Sequence, residues 1–293
     1  MCSLMTPARQ STLLPYNPPP GGVDIAILTI TPVELRAARA VFHTPNRYTL
    51  RGNRRFYSGR VRSSLIVGAP LSLVITSSNE PHNIPAVQAV ADIRQYCDPK
   101  ILFLLGIAAG DRTRVRLGDV VIPEAVYYYE PERLTNAISE PRHDRAAVPN
   151  DVRAQLYHFS LPTNEFTREL PALLKKIPQR ETPRLGRNFQ PTVFSHNAII
   201  ASGANLLADG RFLPELRDRH DQRLIAADQE SWGFAKGSEG SPWAIFRGIS
   251  DYGDPDRYDR WRYLAACCAA LCLKNFLKED YVPANALLPD HTP

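Results

Sequence analysis

The chain has 293 residues, 44% of them hydrophobic, which suits one large domain or two small ones with a sizeable core. No run approaches the ~20 apolar residues that span a bilayer, and no signal-peptide core is visible, so a soluble, cytoplasmic protein with no membrane partner is expected. The formal charge is +5 with no run of five basic residues, which argues against a nucleic-acid partner and favours anionic small ligands.

Residues 1–22 read as a flexible, Pro-rich leader, 23–280 as one domain and 281–293 as a tail. Asp24–Ile30 is an apolar run followed by Thr31-Pro32-Val33-Glu34, the pattern of a buried strand and then a helix with Pro in its first turn. Leu71–Thr76 and Ile101–Leu105 are further β-compatible runs. Between them Pro85, Val87, Val90 and Ala91 have helical spacing, and Asp98-Pro99 closes the helix. Strand, helix and strand in that order imply a crossover and a partly parallel sheet. Val120–Ile122 predicts another strand. From about 128 to 190 the chain turns rich in Pro, Arg, Glu and Asn; this reads as an insertion with helices near Asp151–Phe159 and Asn164–Lys176. Order resumes at Thr192 and through Asn197–Ser202, Ala244–Arg247 supplies a late strand, and a helix runs from about Asp259 to Lys278. Cys267, Cys268 and Cys272 fall in its Ala-rich run, where cysteine behaves as a small hydrophobe. Five cysteines with no C-x-x-C pair predict reduced thiols rather than a disulfide framework or a zinc site.

Four segments carry chemistry-bearing side chains at strand ends. Thr29–Glu34 sets a carboxylate just past a strand. Leu105-Gly106-Ile107-Ala108-Ala109-Gly110 with Leu117–Val121 reads as a small-residue turn after a strand. Ala227-Asp228-Gln229-Glu230-Ser231-Trp232-Gly233 places acids beside a helix start, and Phe246–Asp254 ends a strand with Ser250-Asp251 in the loop. Ligands of open α/β sheets gather at the carboxyl ends of strands, where these segments would converge. Taken singly, each is equally explained by turn chemistry, with Gly for backbone freedom and Ser or Asp as caps.

In this order, and with Ile200–Gly203 between them, the segments resemble the purine nucleoside phosphorylase/nucleosidase superfamily. The resemblance is nearest to its methylthioadenosine/S-adenosylhomocysteine nucleosidase branch, over roughly residues 23–127 and 191–279. It implies a three-layer α/β/α sandwich with a central mixed sheet, a purine nucleoside or nucleotide as small-molecule partner, a homo-oligomer, and no metal or organic cofactor. It also assigns roles. Asp251 matches the acid that protonates the departing base, with Ser250 orienting it. Glu230 matches the carboxylate that grips the ribose, and Glu34 the one that polarises water. Ala108, Ala109 and Gly110 would lie against the purine, and Ser202, Leu206 and Leu207 would wall the base pocket. Such roles fit the chemistry, because the leaving base gathers negative charge while the sugar turns cationic.

The sequence departs from the family in places. Gln229 stands where Met is usual and could reach a sugar or phosphate; Ile107 replaces a Ser or Thr. Thr29-Ile30-Thr31 replaces the G-x-G phosphate loop of the phosphorolytic members, which favours hydrolysis over phosphorolysis with inorganic phosphate. Arg51, Arg54, Arg55, Arg112, Arg114 and Arg116 cluster near strand ends, as phosphate ligands of ATP or AMP would. Related nucleosidase domains serve as ATP-destroying immune effectors. Solvated arginines are the competing account. Asp251, Asp254, Asp256 and Asp259 lack the Gly and Glu of a calcium loop, so no metal is expected. Two alternatives stay open: a phosphate-dependent phosphorylase, and a nucleotide sensor that binds without turnover.

Overall fold

In a computed structural model of the chain, the described residues are 22–65, 70–130, 132–134, 139–141, 144–159, 163–176, 178–186, 189–205, 209–256 and 258–282. In chain order they form β1 (Ile25–Thr29), α1 (Pro32–Val41), β2 (Thr49–Arg51), β3 (Arg54–Val61), β4 (Leu71–Ser77), α2 (Asn83–Cys97) and β5 (Ile101–Gly110). Then come β6 (Val120–Val121), β7 (Ala125–Tyr128), β8 (Glu132–Leu134), β9 (Ser139–Pro141), β10 (Asp144–Ala147), α3 (Asn150–His158) and α4 (Thr163–Leu174). The chain closes with β11 (Val193–Phe194), β12 (Ile199–Ser202), α5 (Phe212–Arg219), β13 (Leu224–Asp228), α6 (Ser231–Gly237), β14 (Trp243–Asp251) and α7 (Asp259–Glu279).

The main sheet is mixed, in the order β10-β7-β12-β13-β5-β1-β4-β3-β2, with β14 pairing β5 and β6. β1, β4, β5 and β14 run parallel, so their carboxyl ends share one edge. Helices cover the sheet, and the α/β class with a central mixed sheet read from the sequence is the one found. β1 and the first half of β5 are buried on both faces, which is why they read as unbroken apolar runs rather than alternating ones. α7 is buried along almost its whole length, from Tyr263 to Leu277.

Three expectations need correction. The Gly106–Gly110 segment is not a turn: β5 continues through Gly110, pairing with β14 on one side and antiparallel with β13 at its end. Small residues here serve close approach, since a Cβ on Gly110 would overlap Val115 and Ile249. Residues 125–128 and 144–147, partly inside the presumed insertion, extend the main sheet as β7 and β10. β14 runs on to Asp251, so Ser250-Asp251 ends a strand instead of sitting in a loop. α2 begins at Asn83, two residues before Pro85, and stops where Asp98 turns left-handed at φ 41°. The far edge of the sheet carries both described ends of the chain: Val23 donates to Cys97 O, and Lys100, Pro242, Tyr281 and Val282 line one cavity.

Candidate functional site

Thr31-Pro32-Val33-Glu34 is a capping box. Thr31 Oγ1 accepts from the Glu34 backbone N–H at 3.4 Å, and Glu34 Oε2 accepts from the Ile30 and Thr31 N–H groups at 2.9 and 2.6 Å. This folds the carboxylate back over the end of β1, where its Oε1 also accepts from the Ile107 N–H of β5 at 2.8 Å. Glu34 is thereby buried and fixed across two strand ends.

Arg247 sits mid-strand in β14 with no exposed surface. Its Nε donates to Asp228 Oδ2 at 2.8 Å, and its Nη2 lies 2.6 Å from the same oxygen and 3.1 Å from Glu230 Oε2. Nη1 is 3.6 Å from Glu34 Oε1 and, among the described residues, has no hydrogen-bond partner. One guanidinium, on β14, thus gathers three carboxylates: Glu34 just past β1, and Asp228 and Glu230 at the end of β13. Burial opposes its charge, but Asp228, Glu230 and Glu34 outweigh it and raise its pKa. Gly106 makes room: a Cβ there would overlap both Glu34 Oε1 and Arg247 Nη1.

The Asp228–Ser231 turn aims Glu230 inward. Asp228 Oδ1 accepts from the Ser231 and Glu230 N–H groups at 3.0 and 3.3 Å, and Ser231 Oγ donates to Oδ2. Gln229 Nε2 donates to Ala204 O at 2.8 Å. Glu230 Oε1 accepts from the His82 N–H at 3.3 Å, and His82 holds a positive φ of 82°. Burial pushes the Glu230 carboxyl up to about 7, opposed by Arg247 and reinforced by Asp228 and Glu34.

Asp251 ends β14 half-buried. Its Oδ2 accepts from Ser250 Oγ at 2.7 Å and its Oδ1 from the Gly253 N–H at 3.0 Å, so both oxygens are oriented. These groups surround a cavity of about 650 Å³, whose wall includes Glu34, Ala108, Ala109, Gln229, Glu230, Ser250 and Asp251. The structure therefore brings together seven of the residues singled out in the sequence. Gly110 is packed inside the sheet, and Ser202 is buried, its Oγ accepting from the Trp232 N–H at 3.1 Å. Neither is among the residues lining the cavity. Leu206 and Leu207 lie outside the described residues. Arg247 and Asp228 were missed; the one signal was an arginine inside an otherwise apolar strand, Trp-Ala-Ile-Phe-Arg-Gly-Ile.

The arginine cluster separates on folding. Arg54 is buried, forked onto Asp92 and the Ser77 carbonyl, and its role is structural. Arg112 pairs with Asp254 at the cavity rim and lies over the Tyr252 ring. Arg116 donates to Thr192 Oγ1 at 3.0 Å. Arg114 is exposed. Among the described residues no group of His, Cys, Asp and Glu is placed to hold a metal ion.

No protein-family model matches the chain. Over 273 residues it is 29% identical to proteins named ATP nucleosidase Cap17 from Escherichia coli, covering 89% of this chain and 52% of theirs. The chain thus spans about half the length of these curated relatives. Among solved structures it resembles a 5′-methylthioadenosine/S-adenosylhomocysteine nucleosidase from Streptococcus pneumoniae, with a TM-score of 0.62 at 18% identity over 87% of this chain and 98% of that one. It likewise resembles the futalosine hydrolase of Helicobacter pylori, with a TM-score of 0.61 at 13% identity, covering 87% and 97%. The fold expected from the resemblance is the fold found.

Proposed function

We propose that this chain is a purine nucleosidase that hydrolyses the N-glycosidic bond of an adenine nucleotide, without metal or organic cofactor. The observation that carries the reading is the gathering of Asp251, Glu230 and Glu34 around one cavity, with Arg247 buried among the carboxylates. The C1′–N9 bond breaks with its electron pair going to the base, and Asp251 delivers a proton to N7 of that base. Glu230, as carboxylate, holds the ribose hydroxyls and steadies the cationic sugar. Water adds to C1′ and passes a proton to Glu34.

Hydrolysis is favoured over phosphorolysis by charge. Among the described residues the cavity wall carries seven carboxyl groups, Glu34, Asp228, Glu230, Asp251, Asp254, Asp256 and Asp259, against one cation, Arg262, with Arg247 buried behind three of them and Arg112 paired to Asp254 at the rim. A neutral nucleophile enters such a space more readily than a phosphate dianion. An adenine nucleotide as substrate is supported by the sequence likeness to proteins named ATP nucleosidase. We further infer a homo-oligomer, supported by Ile84 and Val87, exposed one turn apart on α2; light scattering tests it.

The reading is tested by chromatography of ATP, AMP, adenosine, inosine and methylthioadenosine after incubation in phosphate-free buffer. Adenine with ribose triphosphate from ATP is expected. Base released only once phosphate is added would establish a phosphorylase, and stoichiometric binding without release a sensor.

A further inference from the structure

Beside the main cavity lies a smaller space of about 280 Å³, lined by Leu35, Asn53, Arg55, Tyr57, Ser77 and Asn79. The two are neighbours, because two chain segments each give residues to both and a hydrogen bond ties Ile30 on one wall to Ser77 on the other. At the start of α1, Glu34 faces the large cavity and Leu35 the small one. In the loop after β4, Pro81 faces the large and Asn79 the small. At the end of β1, Ile30 lines the large cavity while its carbonyl accepts from Ser77 Oγ, on the small side, at 2.8 Å.

The electrostatics of the two differ in sign. The small space is lined by a guanidinium, two amides, a hydroxyl and a phenol, with no carboxylate. Alternation along β3 turns Arg54 inward to Asp92 and leaves Arg55 outward. Among the described residues no carboxylate pairs with Arg55; its guanidinium lies 4.8 Å from the Tyr48 ring centroid. Arg39, outside the lining itself, sits 4.0 Å over the ring of Tyr57, so a second positive charge lies next to a residue of that wall. The loop that joins the spaces is held in uncommon backbone, with Asn79 at φ 69° and His82 at φ 82°. Amides and a free guanidinium fork are the donors that phosphate oxygens take.

We propose that this side pocket seats the phosphate groups of the nucleotide, with Arg55 as their principal ligand and Asn53 and Asn79 as further donors. The inference rests on the nucleosidase reading and adds to it the residues that select a nucleotide over a nucleoside. It also resolves a conflict of charge: the base and ribose occupy the acidic cavity, and the anionic tail extends past Ile30 and Pro81 to the basic side pocket.

The test compares kcat/KM for ATP and for adenosine in the wild-type chain, in Arg55→Ala, and in Arg60→Ala, which removes an exposed charge from the same strand outside both spaces. Loss of one charge-assisted contact is expected to lower the ATP-to-adenosine ratio about tenfold in Arg55→Ala, with the Arg60→Ala ratio unchanged. Inorganic tripolyphosphate, followed by calorimetry, is expected to bind the wild type and not Arg55→Ala. Equal ratios in all three proteins, with tripolyphosphate binding unaffected, would overturn the inference while leaving the nucleosidase reading intact. Adenine released from adenosine but not from ATP by the wild type would overturn the nucleotide reading, and the proposed occupant with it.

Discussion

At the scale of single residues the site is a problem of charge in a small dry volume. Replacing Asp251 by Asn keeps its shape and its bonds to Ser250 and Gly253 but removes the transferable proton. Adenine release is expected to fall about 10²- to 10⁴-fold, with KM changing less than kcat. Glu230 gives the pH dependence. Its folded value of about 7 stands above the ordinary 4.5, so between these values the folded chain holds a proton that the unfolded chain has lost. The stabilisation is complete below pH 4.5 and is lost as pH climbs through about 7. Urea midpoints should fall across that window, and Glu230→Gln should flatten the fall. Activity should run the opposite way, kcat/KM rising as the Glu230 carboxylate forms. Arg247→Met would leave Asp228, Glu230 and Glu34 buried without their cation. The cost is expected to be about 3–5 kcal/mol in urea unfolding at pH 8 and smaller at pH 5, where a carboxyl can stay protonated.

At the scale of elements, the packing of α7 on β14 decides how firmly Asp251 and Arg247 are held. Gly248 meets the helix backbone directly, since a Cβ there would overlap the Ala265 carbonyl. Gly248→Ala should therefore push helix from strand and cost on the order of 1–3 kcal/mol of stability, read from the urea midpoint, with activity falling alongside. The elements legible in the sequence were those whose apolar pattern is set by burial alone: β1, β4, the first half of β5, and α7. β2 and β3 were not legible, because Arg51, Arg54 and Arg55 break the pattern and Arg54 is buried only through its pairing with Asp92 and Ser77. The end of β5 read as a turn because Gly106, Ala108, Ala109 and Gly110 have turn composition; what they supply is room for Arg247, Glu34 and Ile249.

For the molecule as a whole, the core and the site are joined through the same strands, so local and global stability are coupled. Cys97, Cys267, Cys268 and Cys272 are free and buried, and burial drives their thiols up, Cys97 and Cys267 to about 12. Aromatic-disulfide titration should leave all four unreactive in the folded chain and expose them together as urea unfolds it. Of the site, the sequence disclosed the carboxylates, which lie in recognisable strand-end segments. It did not disclose the centre that organises them: Arg247, Asp228 and Glu34 are far apart in the chain, and only the sheet order makes them neighbours.

The parallel strands carry one more consequence. Their carboxyl ends hold the site, while Val23 and Val282 lie at the opposite edge, the length of the ten-residue β5 away, roughly 30 Å. A reporter or surface tether attached at either residue would ride on the side of the molecule away from the cavity. Immobilised by that edge, the molecule would present its open cavity outward, as an oriented sensor electrode for the cavity's ligand requires.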